Sequence, residues 1–482
     1  MKKGRKNFWL LGLIVFAIFG WAGSSEAKTL YVDGSVGNDS VTYANNSSLI
    51  PWRTLGRALW GNANKSTPNS SEAAVAGDTV LVAMGTYSYA GSDRRYEPAF
   101  NPVNSGTPGN PIVFKASGVV HLTLSSGTGP VFGANSKNYI TWDGFITDEN
   151  DHNVYDGEPT LGAAWGSNYI IFQNSTFIGK NLPEDGRNHS AIRFEGSTNS
   201  RVYNNVFRGF TGTGENHADV YLYSSDDILV EHNEHRDGNG AVWAKGGASN
   251  DRFIFRYNLV YNMAGFGARL GPISRDGRVY QNVIYNSLAG LRNDSWLGIE
   301  GSDNIFANNT VVNSTLIGMH MHCNDYPSAF YNNIVADISG DSGFGGATGS
   351  WCTDTPGANI FEHNLYYGLL STDQFWYTQG TPDRRSFAYW QGTWGKDSVS
   401  PVGRIADPLF VNKAARNYRL QSGSPALTLG VDILDLDNDG QTNDTVPAGA
   451  YITGNEVIGI VTSSDTTSDT TPPAAPTGLS VN

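Results

Sequence analysis

One recurring asparagine limits what this chain can fold into more than any other feature. Eight segments share a short hydrophobic pattern around it. They are IIFQNSTF from Ile170, RVYNNVF from Arg201, ILVEHNEH from Ile228, FIFRYNLVY from Phe253, RVYQNVIY from Arg278, NIFANNTVV from Asn304, AFYNNIV from Ala329 and NIFEHNLYY from Asn359. The asparagines themselves are Asn174, Asn205, Asn233, Asn258, Asn282, Asn309, Asn333 and Asn364, spaced 24 to 31 residues apart. A fixed core with variable spacing is the mark of a β-solenoid, in which each repeat is one turn and insertions emerge at the loops. Asparagine tolerates left-handed backbone angles and can bond to its counterpart one turn away, so the eight residues read as an internal ladder at a tight bend. The 57 glycines and 12% aromatics of the 482-residue chain agree with many short strands joined by turns.

If side chains alternate along each strand, AVWAKGG (from Ala241), FGARLG (from Phe266) and GLRND (from Gly290) send Val242, Ala244, Ala268, Leu270 and Leu291 inward. Trp243, Lys245, Arg269 and Arg292 then point outward. Lys245 to Arg269 is 24 residues and Arg269 to Arg292 is 23, close to one turn, so these cations are expected to stack on one face. DVYLY (from Asp219) adds Tyr221, AIRFEG (from Ala191) adds Arg193, and GMHMH (from Gly318) adds His320 and His322. A row of like charges asks for an anionic partner. Arginine and lysine suit carboxylates or sulfates, while Trp and Tyr offer flat faces to sugar rings. The expected partner is an anionic polysaccharide. The formal net charge of −13 argues against nucleic acid as a general partner.

Residues 1–27 read as a secretory signal peptide. Lys2, Lys3, Arg5 and Lys6 precede the apolar run Phe8–Ala22, and Ser25 and Ala27 supply small residues for cleavage. The expectation is a secreted or cell-surface monomer with no lasting membrane span. Cys323 and Cys352 are about one turn apart; a disulfide and two separate thiols both remain open, and neither cysteine has metal-ligand spacing.

TLYVDGSVGNDS (from Thr29), the short amphipathic helix expected at Pro51–Trp60 and AGDTVLVAMGTY (from Ala76) resemble the start of many secreted right-handed β-helix proteins, where they cap the open end of the coil. ADPLFVN (from Ala406) and NYRLQSGSPALTLG (from Asn417) are similar to their closing segment. The expected fold is therefore all-β: a single-stranded right-handed parallel β-helix with an N-terminal cap and a disordered C-terminal linker. Residues 28–110 would form the cap and first rungs and 111–455 the helix with its closing segment. Residues 371–404, rich in Trp, Tyr and Gly, would form a long loop. The segment 456–482 would be a Ser/Thr/Pro-rich linker, and its end, TPPAAPTGLSVN, resembles the opening of a fibronectin type III repeat.

A cationic face of this kind suits β-elimination on uronate polymers. A base removes the proton next to the carboxylate, the carboxylate is neutralised, and a donor meets the leaving oxygen. Lys245, its charge opposed by Arg269, is the candidate base. Arg269 is its partner and His320 a further donor; Arg193, Tyr221, Trp243, Arg292 and His322 are candidate substrate contacts. The stretch WAKGGASNDRFIFRYNLVYNMAGFGARLG (Trp243–Gly271) resembles the active-site region of the chondroitinase B and alginate lyase family. That resemblance implies a catalytic lysine at Lys245 and an arginine one rung on at Arg269. The chain departs from the family at Gly238 and Gly240, where calcium-binding acids are expected, and at Leu270, where a histidine is expected. Two rival functions remain: a glycoside hydrolase or epimerase on the same fold, with Asp219 and Asp237 as the best carboxylate pair, and a non-catalytic polysaccharide-binding protein. Asp435, Asp437, Asp439 and Asp444, in DLDNDGQTND (from Asp435), resemble the start of a calcium loop. Calcium is therefore a candidate cofactor, with a structural role the simplest reading.

Overall fold

A computed structural model describes residues 27–462 except 93, 152–157, 183–186, 213, 272–273, 294–302, 322–326, 340–345, 351–354, 370–374 and 379–383. The signal peptide up to residue 26, His322, both cysteines and the fibronectin-like end lie outside the described residues. No described helix is long and apolar enough to cross a membrane.

The chain is a right-handed parallel β-helix whose turns contribute one short strand to each of three faces. The first face stacks Phe132–Asn135, Thr160–Trp165, Ser190–Glu195, Val220–Tyr223 and Gly240–Gly246, and continues through the C-terminal part of Leu259–Leu270 to Ile317–Met321. The second face includes Thr198–Tyr203, Asp226–Glu231, Ile254–Arg256 and Arg278–Tyr280; the third includes Val206–Arg208, Glu234–Arg236, Thr310–Val312 and Ile334–Ala336. Pairing between successive turns is parallel throughout. Alternation places Val242, Ala244, Ala268, Leu270 and Leu291 fully inside, as expected. Phe306, Phe330 and Phe361 stack almost face to face at 4.7 and 4.6 Å, so identical residues one turn apart fill the interior in register.

The asparagine ladder joins the second and third faces. The Oδ1 of Asn258 accepts from the backbone N–H of Asn233 at 3.0 Å and from its side-chain amide at 3.0 Å, while the Asn258 amide donates to Val230 O and Asn282 Oδ1. This unit repeats from Asn205 to Asn364, and every ladder asparagine is buried. Asp397 closes it, accepting from both the backbone and the side chain of Asn364. Asn174 is not a ladder member. Ser175 occupies that register, and Asn174 belongs to the residues just before the ladder, which adopt the left-handed conformation. At the later rungs those residues are Asn204, His232, Tyr257, Gln281, Asn308, Asn332 and His363. The left-handed bend and the ladder thus fall on neighbouring residues.

At the N-terminal end, Thr29–Val32 pairs with Thr79–Ala90. The helix runs Leu55–Trp60 with Thr54 as its N-cap and starts later than expected, because Trp52 bridges to Val32. It is buried on all sides rather than amphipathic, its Arg57 paired with Glu72. Residues 371–404 are more than a loop. Trp376–Thr378 extends the first face, and the helix Phe387–Gly392 sets Trp390 against Phe361 and Asp397, closing the C-terminal end.

The closing segment then turns back along the outside of the coil. Phe410, Tyr418, Leu429 and Ala448 pack on Val312, Ile334 and Leu365. Its backbone meets successively earlier rungs: Val431 bonds Asn332, Pro447 accepts from Asn308, Gly459 donates to Tyr257 and Val461 to Asn204.

Candidate functional site

Strand register on the first face brings Arg193, Tyr221, Trp243, Arg269, Arg292 and His320 into one column. The pairings are Arg193 with Tyr221, Tyr221 with Trp243, Trp243 with Arg269, Arg269 with Arg292, and Arg292 with His320. Lys245 is not opposite Arg269. The pairing slips between Leu222 and Tyr223, so Lys245 falls at a β-bulge two residues beyond Trp243. Lysine and arginine meet through the indole instead: Lys245 Nζ lies 4.0 Å from the Trp243 ring centre and Arg269 Cζ 3.4 Å from it. A bulge that re-aims a side chain is invisible to a count of residues per turn.

The column is covered rather than solvent-facing. Arg193, Arg269 and Arg292 are 3, 4 and 3% exposed, and Tyr221, Trp243 and His320 are equally buried. Acids on the surrounding loops, with Glu195 at the end of its own strand, pair with the cations. Glu158 and Glu195 bind Arg193 at 2.9 and 2.8 Å, and Glu158 also takes Arg95. Glu215 Oε2 stands 3.2 Å from Arg269 and 3.4 Å from Arg292. Tyr221 and Trp243 therefore underlie the cations instead of presenting open platforms. The Tyr221 hydroxyl and the Trp243 N–H are buried with no hydrogen-bond partner among the described residues. Burial holds the Tyr221 phenol well above its ordinary range, with Tyr223 adding to the rise and Arg269 and Arg193 pulling the other way.

Lys245 is held by residues that sequence reasoning missed. Its ammonium donates to the side-chain oxygens of Asn188 and Asn216, and the Asn188 amide donates in turn to Glu158 at 2.8 Å. Beneath the two asparagines is a buried chain of three groups. His189 Nε2 lies 2.8 Å from Glu149 Oε2, and His189 Nδ1 lies 3.0 Å from His217 Nδ1. Backbone bonds between His189 and Asn216 and between Ala218 and His189 tie the two loops together. Gly212 lies against the His217 ring, where a Cβ would come within 2.1 Å. A signal was present: Asn-His-Ser-Ala from Asn188 and Asn-His-Ala-Asp from Asn216 are the same motif one turn apart.

Beside the column opens a cleft of about 390 Å³ lined by Glu215, Asn239, Phe266, Arg292, Leu316 and His320, among others. It adjoins the Arg292–His320 end of the column. The carboxylate pair proposed for hydrolysis is separated by the fold. Asp219 is fully buried with His235 at 2.9 Å, whereas Asp237 sits exposed at an outer corner with Arg236 and Asn262. Burial pushes the Asp219 carboxyl well above its usual value and His235 down to about 3. Both shifts favour one proton held between them, a neutral acid facing a neutral imidazole, over an ion pair.

Asp435, Asp437, Asp439 and Asp444 lie together on the returning segment, with Asp432 as an unforeseen neighbour. Two overlapping triads, Asp432–Asp435–Asp437 and Asp437–Asp439–Asp444, bring carboxylate oxygens within 4.8 Å of one another. The Asp439 N–H donates to Asp437 and lowers its carboxyl, yet desolvation and the charges of Asp439, Asp432 and Asp444 leave it above the ordinary range.

No family model matches the chain, and no curated protein does. Solved structures do. The pectate lyase Pel9A superposes with a TM-score of 0.54 at 13% identity, over 89% of this chain and 97% of that one. A PL6 family polysaccharide lyase from Pseudopedobacter saltans gives 0.39 at 12% identity, over 74% and 96%. The GH136 lacto-N-biosidase from Eubacterium ramulus gives 0.44 at 11% identity, over 73% and 65%. At such identities, what this chain shares with the pectate lyase is the right-handed parallel β-helix itself.

Proposed function

We propose that the chain is a secreted polysaccharide-active protein that cleaves an anionic, uronate-containing polymer by β-elimination. The supporting observation is the meeting of Lys245 and Arg269 on the Trp243 ring, in a column that leads through Arg292 to His320 at the cleft. Lys245, as the neutral amine, takes the proton from the carbon beside the carboxylate. Arg269 and Arg292 neutralise that carboxylate, so the electron pair left on carbon is delocalised into it. The pair then forms the new double bond as the bond to the 4-linked oxygen breaks, and His320 in its protonated form gives that oxygen a proton. The amide oxygens of Asn188 and Asn216 favour the ammonium while the Arg269 charge opposes it, and the pH profile of the reaction reports the balance. Lys245→Ala, assayed at 235 nm for unsaturated product on alginate, pectate, chondroitin and a neutral glycan, tests the reading. Activity on a uronan that survives the substitution removes Lys245 from the mechanism. Reducing ends formed without absorbance at 235 nm indicate hydrolysis instead.

The basic-then-apolar residues 1–27 support export. The clustered carboxylates of Asp432, Asp435, Asp437, Asp439 and Asp444 support a structural calcium on the returning segment.

A further inference from the structure

The cleft beside the column has two unlike ends. Arg292 and His320 line one of them. The other is hydrocarbon, with Leu288, Leu316 and Ala264 at its rim and the buried Phe266 beneath. Strand register explains the hollow. The Gly265 N–H donates to Asn239 O and the Leu316 N–H to Leu288 O, and Leu288 falls opposite Ala264–Gly265, where the pairing slips between Met263 and Phe266. Asn239, Ala264–Gly265, Leu288 and Leu316 therefore mark successive rungs at one corner. A Cβ on Gly265 would come within 2.6 Å of Asn239 O, so nothing larger fits there. Small residues on one rung are followed by leucine on the next two, and that step in size leaves the space.

Leu288 is 39% exposed. A lone exposed leucine is ordinary, but two of them one rung apart on a cleft wall form an apolar contact surface. The polar end lies on the same strands: Arg292 and His320 follow Ala289 and Ile317 by three residues, about 10 Å away. A hydroxyl or carboxylate at the leucine end would lose its water and meet no donor among the apolar side chains. A methyl or short alkyl group is stabilised there.

We infer that the cleft is an acyl-recognising subsite, which takes a sugar residue bearing an acetyl group with its methyl against Leu288 and Leu316. The volume of about 390 Å³ suits one sugar residue with its substituent, not a length of polymer. Placing that residue in a uronan rests on the function proposed above; the acyl contact itself does not. Leu288 and Leu316 then set specificity and take no part in proton transfer.

The test is calorimetric titration with galactose, N-acetylgalactosamine, N-butyrylgalactosamine and 6-O-acetylgalactose. An acetylated sugar is expected to bind the parent about fourfold tighter than galactose, the worth of one buried methyl, and the butyryl sugar tighter again. Preference for the amide assigns the subsite to N-acylated sugars, and preference for the ester assigns it to O-acylated ones. Leu288→Ser brings acylated and plain sugars to equal affinity, whereas Leu288→Met, which keeps the hydrocarbon, retains the preference. Ala264→Leu fills the hollow and weakens acylated sugars by about fourfold or more; it carries the test alone if Leu288→Ser does not melt like the parent. Equal affinity for acylated and plain sugar in the parent, no binding of either, or a preference that survives Leu288→Ser in a folded variant overturns the inference. Because binding is read without turnover, a missing 235 nm product would sink the lyase reading and leave the subsite standing, and a missing acyl preference would do the reverse.

Discussion

The asparagine corner and the cationic column are built on the same rungs and follow opposite rules. At the corner every buried amide from Asn205 to Asn333 finds the same partners one turn away, so each rung satisfies the next, and a loop residue, Asp397, is used only at the last rung. In the column no two neighbours between Arg193 and Trp243 are alike, and the charges are balanced by acids on loops. Repetition gives stability that depends only on the strands. Variation leaves charge whose balance depends on groups carried largely by loops, and that is where chemistry can be placed.

Substitutions on each side sharpen that contrast. The largest effect is expected at the bulge: Lys245→Ala lowers turnover of a uronan by about 10²–10⁴-fold, read at 235 nm, with the denaturation midpoint close to the parent's. Next is the ladder. Asn258→Ala orphans the backbone N–H of Asn233, removes the amide that donates to Val230 O and costs about 2–4 kcal/mol by chemical denaturation, with activity per folded molecule retained. If Asn258→Ala abolished activity at constant fold, or Lys245→Ala unfolded the protein, the separation of roles would fail.

The buried Asp219–His235 pair gives a smaller, pH-dependent effect. Folded, the pair keeps its one proton, because burial raises Asp219 and lowers His235. Unfolded, the pair also holds one proton between roughly pH 3.9 and 6.5, and none above it. Stability from this pair is therefore level across that window and falls as pH rises past about 6.5, by up to about 1.4 kcal/mol per unit. It also falls below roughly pH 3.9, where the unfolded chain takes a second proton. Asp219→Asn, in which the amide can still donate to His235, removes the alkaline loss; an unchanged slope of stability against pH would contradict the shared proton. The smallest effect is calcium at the returning segment: added Ca²⁺ raises the melting point by about 2–4 °C, and Asp437→Asn abolishes the rise.

The same contrast explains what could be read from the chain in advance. The ladder was legible because its period is written in identical residues, and Val242, Ala268 and Leu291 faced inward because alternation within a strand is rigid. The order Arg193, Tyr221, Trp243, Arg269, Arg292, His320 followed from that register. Two things did not follow. The slip that carries Lys245 past Trp243 is a local bulge, which adds one residue without disturbing the surrounding spacing. The covering of the column comes from Glu158, Asn188, Glu215 and Asn216, in loops whose contacts are distant in sequence. Their trace, the doubled Asn-His motif, carries meaning only once the strands place its two copies side by side.

The segment that doubles back past Asn332, Asn308, Tyr257 and Asn204 changes how this solenoid comes apart. A simple stack of coils can lose its last turn without disturbing those in the middle. Here the closing segment is stitched to coils made well before it, so fraying of the last coil must first unpick that seam.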